Sequence, residues 1–307
     1  MTRSESRPPV VAVVGATAAG KSELAVELAL QLDGEVVNAD SMQLYRGMDI
    51  GTAKLPLPDR RGVPHHLLDV LDVTEPATVA EFQGWARAAI NECRSRGVVP
   101  VLVGGSALYL RAVLDSFDFP GTDPAVRARL EAELSRDGEE LLHSRLRAVD
   151  PEAAATILPT NGRRVVRALE VVEITGRPFQ ATIPPPEYVF DRVVQVGLDI
   201  PREELDVRIQ ERVDRMWAAG FVDEVRRLDR EGLRRGRTAS RALGYRQVLR
   251  FLVGECTEDE ARRDTVTGTR RFARRQDTWF RRDERIRWVR YDADQVVQAL
   301  DAVRSGA

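Results

Sequence analysis

Cysteine is scarce in this chain of 307 residues: Cys93 and Cys256 are the only two, far apart and in no CxxC pair. Their spacing supports neither a zinc site nor a disulfide framework, and it suits a reducing compartment. Long apolar runs are missing as well. The run Val10–Val14 is too short for a signal h-region or a membrane span, so we expect a cytoplasmic protein with no targeting segment and no membrane contact. Net charge is nearly absent, −2 at pH 7, and gives no global attraction to nucleic acid. Lysine is rarer still, with Lys21 and Lys54 alone among many arginines. No internal repeat and no low-complexity segment is seen.

What is present is a 43% hydrophobic composition, enough to bury a substantial core in one large domain or two smaller ones. Charge is distributed unevenly. From Arg234 to Arg290 there are 17 Arg against 8 Asp plus Glu, a local balance of +9 in an otherwise acidic chain. A basic C-terminal third is therefore a real feature, of the kind that meets phosphates.

Short β-branched runs recur at 10–14, 35–39, 98–103, 193–199 and 286–291, separated by helical periodicities. This alternation predicts an α/β fold, a mainly parallel sheet wrapped by helices. Between the third and fourth runs, about 118–187 shows helix patterns and no strand signal, with starts at Asp123-Pro124, Asp150-Pro151 and Asn161 and an end at Pro184-Pro185-Pro186. The predicted organisation is a P-loop core in residues 8–117, an α-helical insertion domain in 118–190, and the rest of the core with basic helices in 191–307.

Gly15-Ala16-Thr17-Ala18-Ala19-Gly20-Lys21-Ser22 satisfies G-x-x-x-x-G-K-[ST] at each fixed position, after a strand and before the helical run 22–32. Backbone N–H groups of such a loop converge on a phosphate or diphosphate, aided by the following helix dipole; Lys21 adds a charge and Ser22 a Mg2+ ligand. The run 35–39 leads into Asp40, at the carboxyl end of a strand, where open α/β sheets place ligands. By itself Asp40 reads equally as a capping residue or as a magnesium ligand of a kinase. The run 98–103 leads to Gly104-Gly105-Ser106, where an ATPase would usually carry an acid and none is present. Gly104 and Gly105 are expected to admit a close ligand, and Ser106 to offer a hydroxyl to it; a plain strand-to-helix turn is the other reading.

On a wheel of about 100° per residue, 262–282 gathers Arg263, Arg270, Arg271, Arg274, Arg275, Arg281 and Arg282 on one arc and Phe272, Ala273, Trp279 and Phe280 on the other. Seven arginines without interleaved acids exceed what solubility needs, so phosphate contact is expected. Gln276 falls in the apolar arc and needs buried polar partners. Arg163, Arg164 and Arg167 separate similarly from Val165, Val166 and Leu169. Arg212 lies nearest the apolar stripe of Leu205, Ile209, Val213 and Met216. The pair His65-His66 cannot point one way on a strand, which disfavours a shared metal and favours a loop-ordering role.

The run Ser41-Met42-Gln43-Leu44-Tyr45-Arg46-Gly47-Met48-Asp49-Ile50-Gly51-Thr52-Ala53-Lys54 closely resembles the signature of the tRNA dimethylallyltransferases. The resemblance extends over about 11–290, including Gly244-Tyr245-Arg246-Gln247 and 269–279. It implies transfer of a dimethylallyl group from its diphosphate to N6 of the adenine at position 37 of tRNA. Asp40 would be the base and Ser106 a second catalytic group. The loop 15–22 with Arg212 would hold the diphosphate with Mg2+. Asp40, Ser41, Met42, Gln43, Ser106, Arg127, Arg163, Arg164, Arg167, Arg271, Arg274, Arg275 and Gln276 would meet the tRNA anticodon stem-loop. Ala16 and Ala19 replace the family's usual Pro and Ser, and Ser106 its Thr. The eukaryotic members' zinc-finger tail is not seen, so a bacterial type, acting as a monomer, is expected. A small-molecule kinase would share the phosphate loop, an isopentenyltransferase of free adenine nucleotides would share Asp40 as well, and a non-catalytic RNA-binding module would leave the loop unexplained.

Overall fold

The structure is a computed structural model that describes residues 7–116, 119–179, 185–292 and 294–306. Six strands, β1 (Val10–Val14), β2 (Gly34–Asn38), β3 (His65–His66), β4 (Val99–Gly104), β5 (Val193–Asp199) and β6 (Ile286–Arg290), form one parallel sheet in the order β3-β2-β4-β1-β5-β6. In chain order the helices are α1 (Lys21–Gln31), α2 (Val79–Ser95), α3 (Ala107–Leu114), α4 (Pro124–Asp137), α5 (Glu139–Val149) and α6 (Pro151–Thr156). They continue with α7 (Gly162–Thr175), α8 (Arg202–Ala218), α9 (Phe221–Arg230), α10 (Tyr245–Leu252), α11 (Glu258–Phe280) and α12 (Gln295–Gly306).

The chain divides into two compact units, Met1–Ser116 with Tyr188–Ala307, and Phe117–Glu187. The expected 117/118 boundary and Pro184 fall outside the described residues. The strand runs read from the sequence appear as β1, β2, β4, β5 and β6 within a residue or so at each end, and the fold is the P-loop type. Only the two-residue β3 was not foreseen, because its single register step on β2 gives no alternation to detect.

The central strands are apolar throughout because helices cover both faces of a parallel sheet. Along β1 the side chains alternate: Val10, Ala12 and Val14 join a core with α2, α3, α9 and α10, while Val11 and Val13 join another with α1, α8 and α12. In the second unit, Asp123, Asp150 and Asn161 cap α4, α6 and α7 through side-chain oxygens, the first two followed by Pro at the first helical position. Leu130, Leu142, Leu146, Val165 and Leu169 fill its own small core. No helix among the described residues is long and apolar enough to cross a membrane.

Candidate functional site

Three loops emerge side by side at the carboxyl ends of β2, β4 and β1, which are adjacent in the sheet. The first follows β1. Gly15 and Gly20 adopt φ of +137° and +92°, where an L side chain is strained, and curl the chain into the start of α1. Ala16 and Ala19 are buried in the core, so the two departures from the family pattern cost the loop no exposed donor. Lys21 turns back and donates from Nζ to the Ala16 carbonyl at 2.7 Å. Burial and the neighbouring Arg212 charge bring its ammonium down to about 8. The Ser22 hydroxyl makes no hydrogen bond among the described residues.

Two braces hold this loop from outside it. The buried Gln276 of α11 accepts from the Thr17 amide at 2.9 Å and donates to the Gly105 carbonyl at 2.7 Å. Arg208 of α8 donates to the Ala18 carbonyl at 2.9 Å and stacks on Tyr291. The sequence flagged Gln276 as buried and in need of polar partners; its amide finds them in two site loops. Arg208 carried no signal beyond its helical phase.

Arg212 donates to Thr17 Oγ1 at 3.3 Å and to the Thr52 carbonyl at 3.2 Å, and no carboxylate among the described residues is bonded to it. Desolvation lowers its pKa, and Asp40 and Glu23 oppose the shift. Lys21 and Arg212 are thus two desolvated cations at one loop, each sensing the Asp40 charge. Such a pair is costly unless an anion joins it.

Asp40, after β2, is oriented by its own neighbours: its amide donates to Asn38 Oδ1 at 3.0 Å, and its Oδ1 accepts from the Met42 amide at 2.9 Å. Oδ2 has no protein partner among the described residues. Ser41 neighbours Tyr109, whose hydroxyl is pushed up to about 12 by burial and so stays protonated. Met42 packs at the edge of the core, and Gln43 donates to the Thr52 carbonyl at 3.2 Å. Tyr109 was not singled out from the sequence; its aromatic ring sits against Phe82.

Ser106 occupies the N-cap position of α3, yet its side chain makes no capping bond. A Ser at this position ordinarily accepts an N–H of the first turn; here the hydroxyl is left for another partner. The expected close approach at Gly104 and Gly105 is made by protein. A Cβ at Gly104 would lie 2.7 Å from the Ala39 carbonyl oxygen, and one at Gly105 2.4 Å from Gln276 Nε2. β4 carries no acidic residue.

The arginine face of α11 is narrower than its wheel implied. Arg270 lies along α8 near Asp206, and Arg281 pairs with Asp199 and Asp277 over Trp288. Arg263, Arg271, Arg274, Arg275 and Arg282 are exposed with no ion pair among the described residues. Phe272, placed on the apolar arc, is instead 37% exposed under Arg275. In the second unit, Arg127 and Arg167 both bind the buried Glu170, whose carboxyl falls to about 2 as their hydrogen bonds and that of Thr122 outweigh burial. Arg127 thereby ties α4 to α7, and Arg167 ties α7 to the Pro120 and Gly121 carbonyls ahead of α4, while Arg163 and Arg164 are exposed.

The histidines do point apart: His65 Nδ1 meets the Val63 carbonyl at 2.8 Å, and His66 Nε2 meets Glu35 at 2.6 Å. Cys93 joins Glu35 and His66, with ligand atoms within 4.8 Å of one another. Arg96, however, grips both Glu35 oxygens at 2.8 and 2.7 Å and holds that carboxyl near 2. Burial pushes the Cys93 thiol up to about 11, so this is a neutralised network at the far end of β2 from Asp40.

The IPP transferase family model matches residues 43–283. The tRNA dimethylallyltransferase of Nocardioides sp. is 64% identical over the whole of both chains. That of Thermobifida fusca is 64% identical over 96% of this chain and 93% of its own. Among solved structures, the full-length tRNA isopentenylpyrophosphate transferase of Bacillus halodurans superposes with a TM-score of 0.70 at 38% identity, over 97% of this chain and 99% of its own. A eukaryotic dimethylallyltransferase acting on tRNA gives 0.80 at 25% identity, over 97% and 77%. With its phosphate loop, an acid beyond β2 and no acid on β4, the chain belongs to the tRNA dimethylallyltransferase family.

Proposed function

We propose that this chain transfers the dimethylallyl group of dimethylallyl diphosphate to N6 of adenine 37 in the anticodon stem-loop of tRNA, releasing diphosphate. The observation that carries the reading is the pair of desolvated cations, Lys21 and Arg212, facing a loop without a bonded acid and near an Asp40 whose Oδ2 is unpaired. An exocyclic adenine amine is a poor nucleophile because its lone pair is delocalised. A carboxylate must take its proton as the C–N bond forms, and Asp40, with Oδ2 unpaired among the described residues, is our candidate for it. As the allylic C–O bond breaks, charge grows on the diphosphate, where the loop amides, Lys21, Arg212 and the Thr17 hydroxyl stabilise it. Ser106 offers its unspent hydroxyl to the adenine or the diphosphate.

The donor set suits magnesium: the Ser22 hydroxyl, a hard oxygen at the start of α1, is unbonded among the described residues, and diphosphate oxygens would complete the shell. Bound there, the ion would offset charge on the leaving group. The target base must leave its stack to be alkylated, and the exposed Arg163 and Arg164 of one unit and Arg271, Arg274 and Arg275 of the other each suit tRNA phosphates.

A kinase reading fails on β4, which lacks an acid for a nucleotide-bound metal. Nucleoside mass spectrometry of tRNA incubated with dimethylallyl diphosphate tests the proposal, and an N6-dimethylallyl adenosine product is expected. Robust tRNA-stimulated hydrolysis of ATP with no prenylated adenosine would overturn it. Prenylation of AMP in preference to tRNA would move the chain to the free-nucleotide class.

A further inference from the structure

One backbone oxygen joins the two halves of the site. The Thr52 carbonyl accepts from Arg212 Nη2 at 3.2 Å and from Gln43 Nε2 at 3.2 Å, the first on the diphosphate side, the second on the tRNA side. Its position is set by the turn before it, and that turn is shaped by a carboxylate from another element. Glu224 of α9 accepts through Oε2 from the amides of Asp49 at 3.0 Å and Ile50 at 2.7 Å. Through Oε1 it accepts from the Gly51 amide at 3.1 Å and from the Tyr245 hydroxyl at 2.5 Å. Three successive amides converging on one anion form a concave nest.

Glu224 is 7% exposed and has no cationic partner among the described residues, so its charge is balanced by amide dipoles and one phenol. The Tyr245 hydroxyl stays protonated, its pKa raised by burial and by the Glu224 charge, and remains a donor. The turn has little freedom elsewhere. A Cβ on Gly51 would fall 2.1 Å from the Phe221 ring and 2.5 Å from that of Tyr245. Thr52 Oγ1 donates to the Met48 carbonyl at 2.6 Å, and Lys54 Nζ donates to Asp49 Oδ1 at 2.7 Å. Three of the four bonds to Glu224 thus serve a stretch of the family signature, the fourth coming from Tyr245, and among the described residues the only other hydrogen bond from α9 to that stretch is Arg227 on the Gly47 carbonyl.

We propose that Glu224 is a positioning residue for prenyl transfer: by fixing the turn Asp49–Thr52 it holds the Thr52 carbonyl where Arg212 and Gln43 are oriented together, so that donor and acceptor ends of the site are aligned by one clamp. The inference rests on the assignment of Arg212 to the diphosphate and Gln43 to tRNA. Among the described residues Arg212 has no carboxylate to anchor it. If the Thr52 carbonyl shifts, the guanidinium keeps only Thr17 Oγ1, and its remaining N–H groups swing off the diphosphate. A displacement of about 1 Å in a positioning contact is enough for a ~10²-fold loss.

The test is a cycle of Glu224→Gln, Arg212→Gln and the double variant in the full chain, with kcat and KM measured for dimethylallyl diphosphate and for tRNA below the onset of unfolding. Glutamine keeps the shape but turns an NH2 toward amide donors, leaving at least one unpaired. The expected result is a roughly 10- to 100-fold fall in kcat/KM for the donor in Glu224→Gln, with a rise in the KM for tRNA. The double variant should fall no further than Arg212→Gln within about 2-fold, because the effect of Glu224 on the donor runs through Arg212. Losses that multiply in the double variant, or a lowered Tm with unchanged kcat/KM, would show a fold-supporting role and overturn the proposal. Should Glu224→Gln fail to fold, Tyr245→Phe removes one bond from the same carboxylate. It should show a smaller loss, again not multiplying with that of Arg212→Gln. The unaltered chain, assayed alongside, reports separately on the functional reading: failure to prenylate tRNA there sinks that reading, whereas multiplying losses in an active series sink only the clamp.

Discussion

Holding Lys21 in the phosphate loop should make the free protein less stable, and the size of the effect follows from its environment. Its pKa falls from the ordinary 10.5 to about 8, chiefly because burial penalises the charged form. At ~1.4 kcal/mol per pH unit, that corresponds to roughly 3 kcal/mol against the folded state near neutral pH. Between pH 8 and 10.5 the unfolded chain binds the proton that the folded chain has lost, so stability rises with pH across that window and the penalty is gone above it. Lys21→Met removes the penalty at the cost of about 1 kcal/mol for the hydrogen bond to the Ala16 carbonyl. A net gain of roughly 2 kcal/mol, or a Tm higher by on the order of 5 °C, is expected at pH 7. By pH 10.5 the gain should vanish. Thermal unfolding at both pH values, with and without magnesium diphosphate, checks this. Ligand should raise the Tm of the parent chain and leave that of Lys21→Met nearly unmoved, and the variant should be inactive. A variant with the parent's Tm or a lower one at pH 7 would refute the claim that Lys21 is a strained cation awaiting its anion.

Other outcomes follow from the same geometry. Asp40→Ala should lower turnover by about 10²-fold or more with tRNA affinity largely kept, and Ser106→Ala should slow turnover less, since one hydrogen bond is removed. Unchanged turnover in either variant would return that residue to a turn-forming role. Replacing Arg271, Arg274 and Arg275 together with Gln should weaken tRNA binding and reduce the slope of log affinity against log salt by about 2–3, with donor binding unaffected; an unaltered slope would make the face merely solvated.

Much of the core could be read from the chain because its signals are local. A β-branched run followed by a glycine loop and a helix specifies β1, the phosphate loop and α1 within one stretch. The caps Asp123, Asp150 and Asn161 mark helix starts by the same local chemistry. Contacts whose partners are distant in sequence were harder. Glu224 bonds backbone amides some 174 residues away, and amides leave no trace in a side-chain pattern. Gln276 was legible as buried from its wheel position, but its partners Thr17 and Gly105 were not. The α11 wheel counted arginines correctly and misjudged Phe272, Arg270 and Arg281, because a wheel carries no knowledge of Asp199 on β5 or Asp206 on α8. The pairing of Arg127 and Arg167 with Glu170 was hidden from the sequence for the same reason.

The helical insertion leaves and rejoins the core at nearly one point. Asp115 and Tyr188 form an antiparallel bridge, and the Val189 amide donates to the Leu114 carbonyl at 2.9 Å. Because the two ends are already pinned together, the length of the excursion adds little entropy to closing the sheet around it. The insertion is thus an interchangeable part: it can lengthen, shorten or be exchanged for another module without altering strand register or the phosphate loop that follows β1.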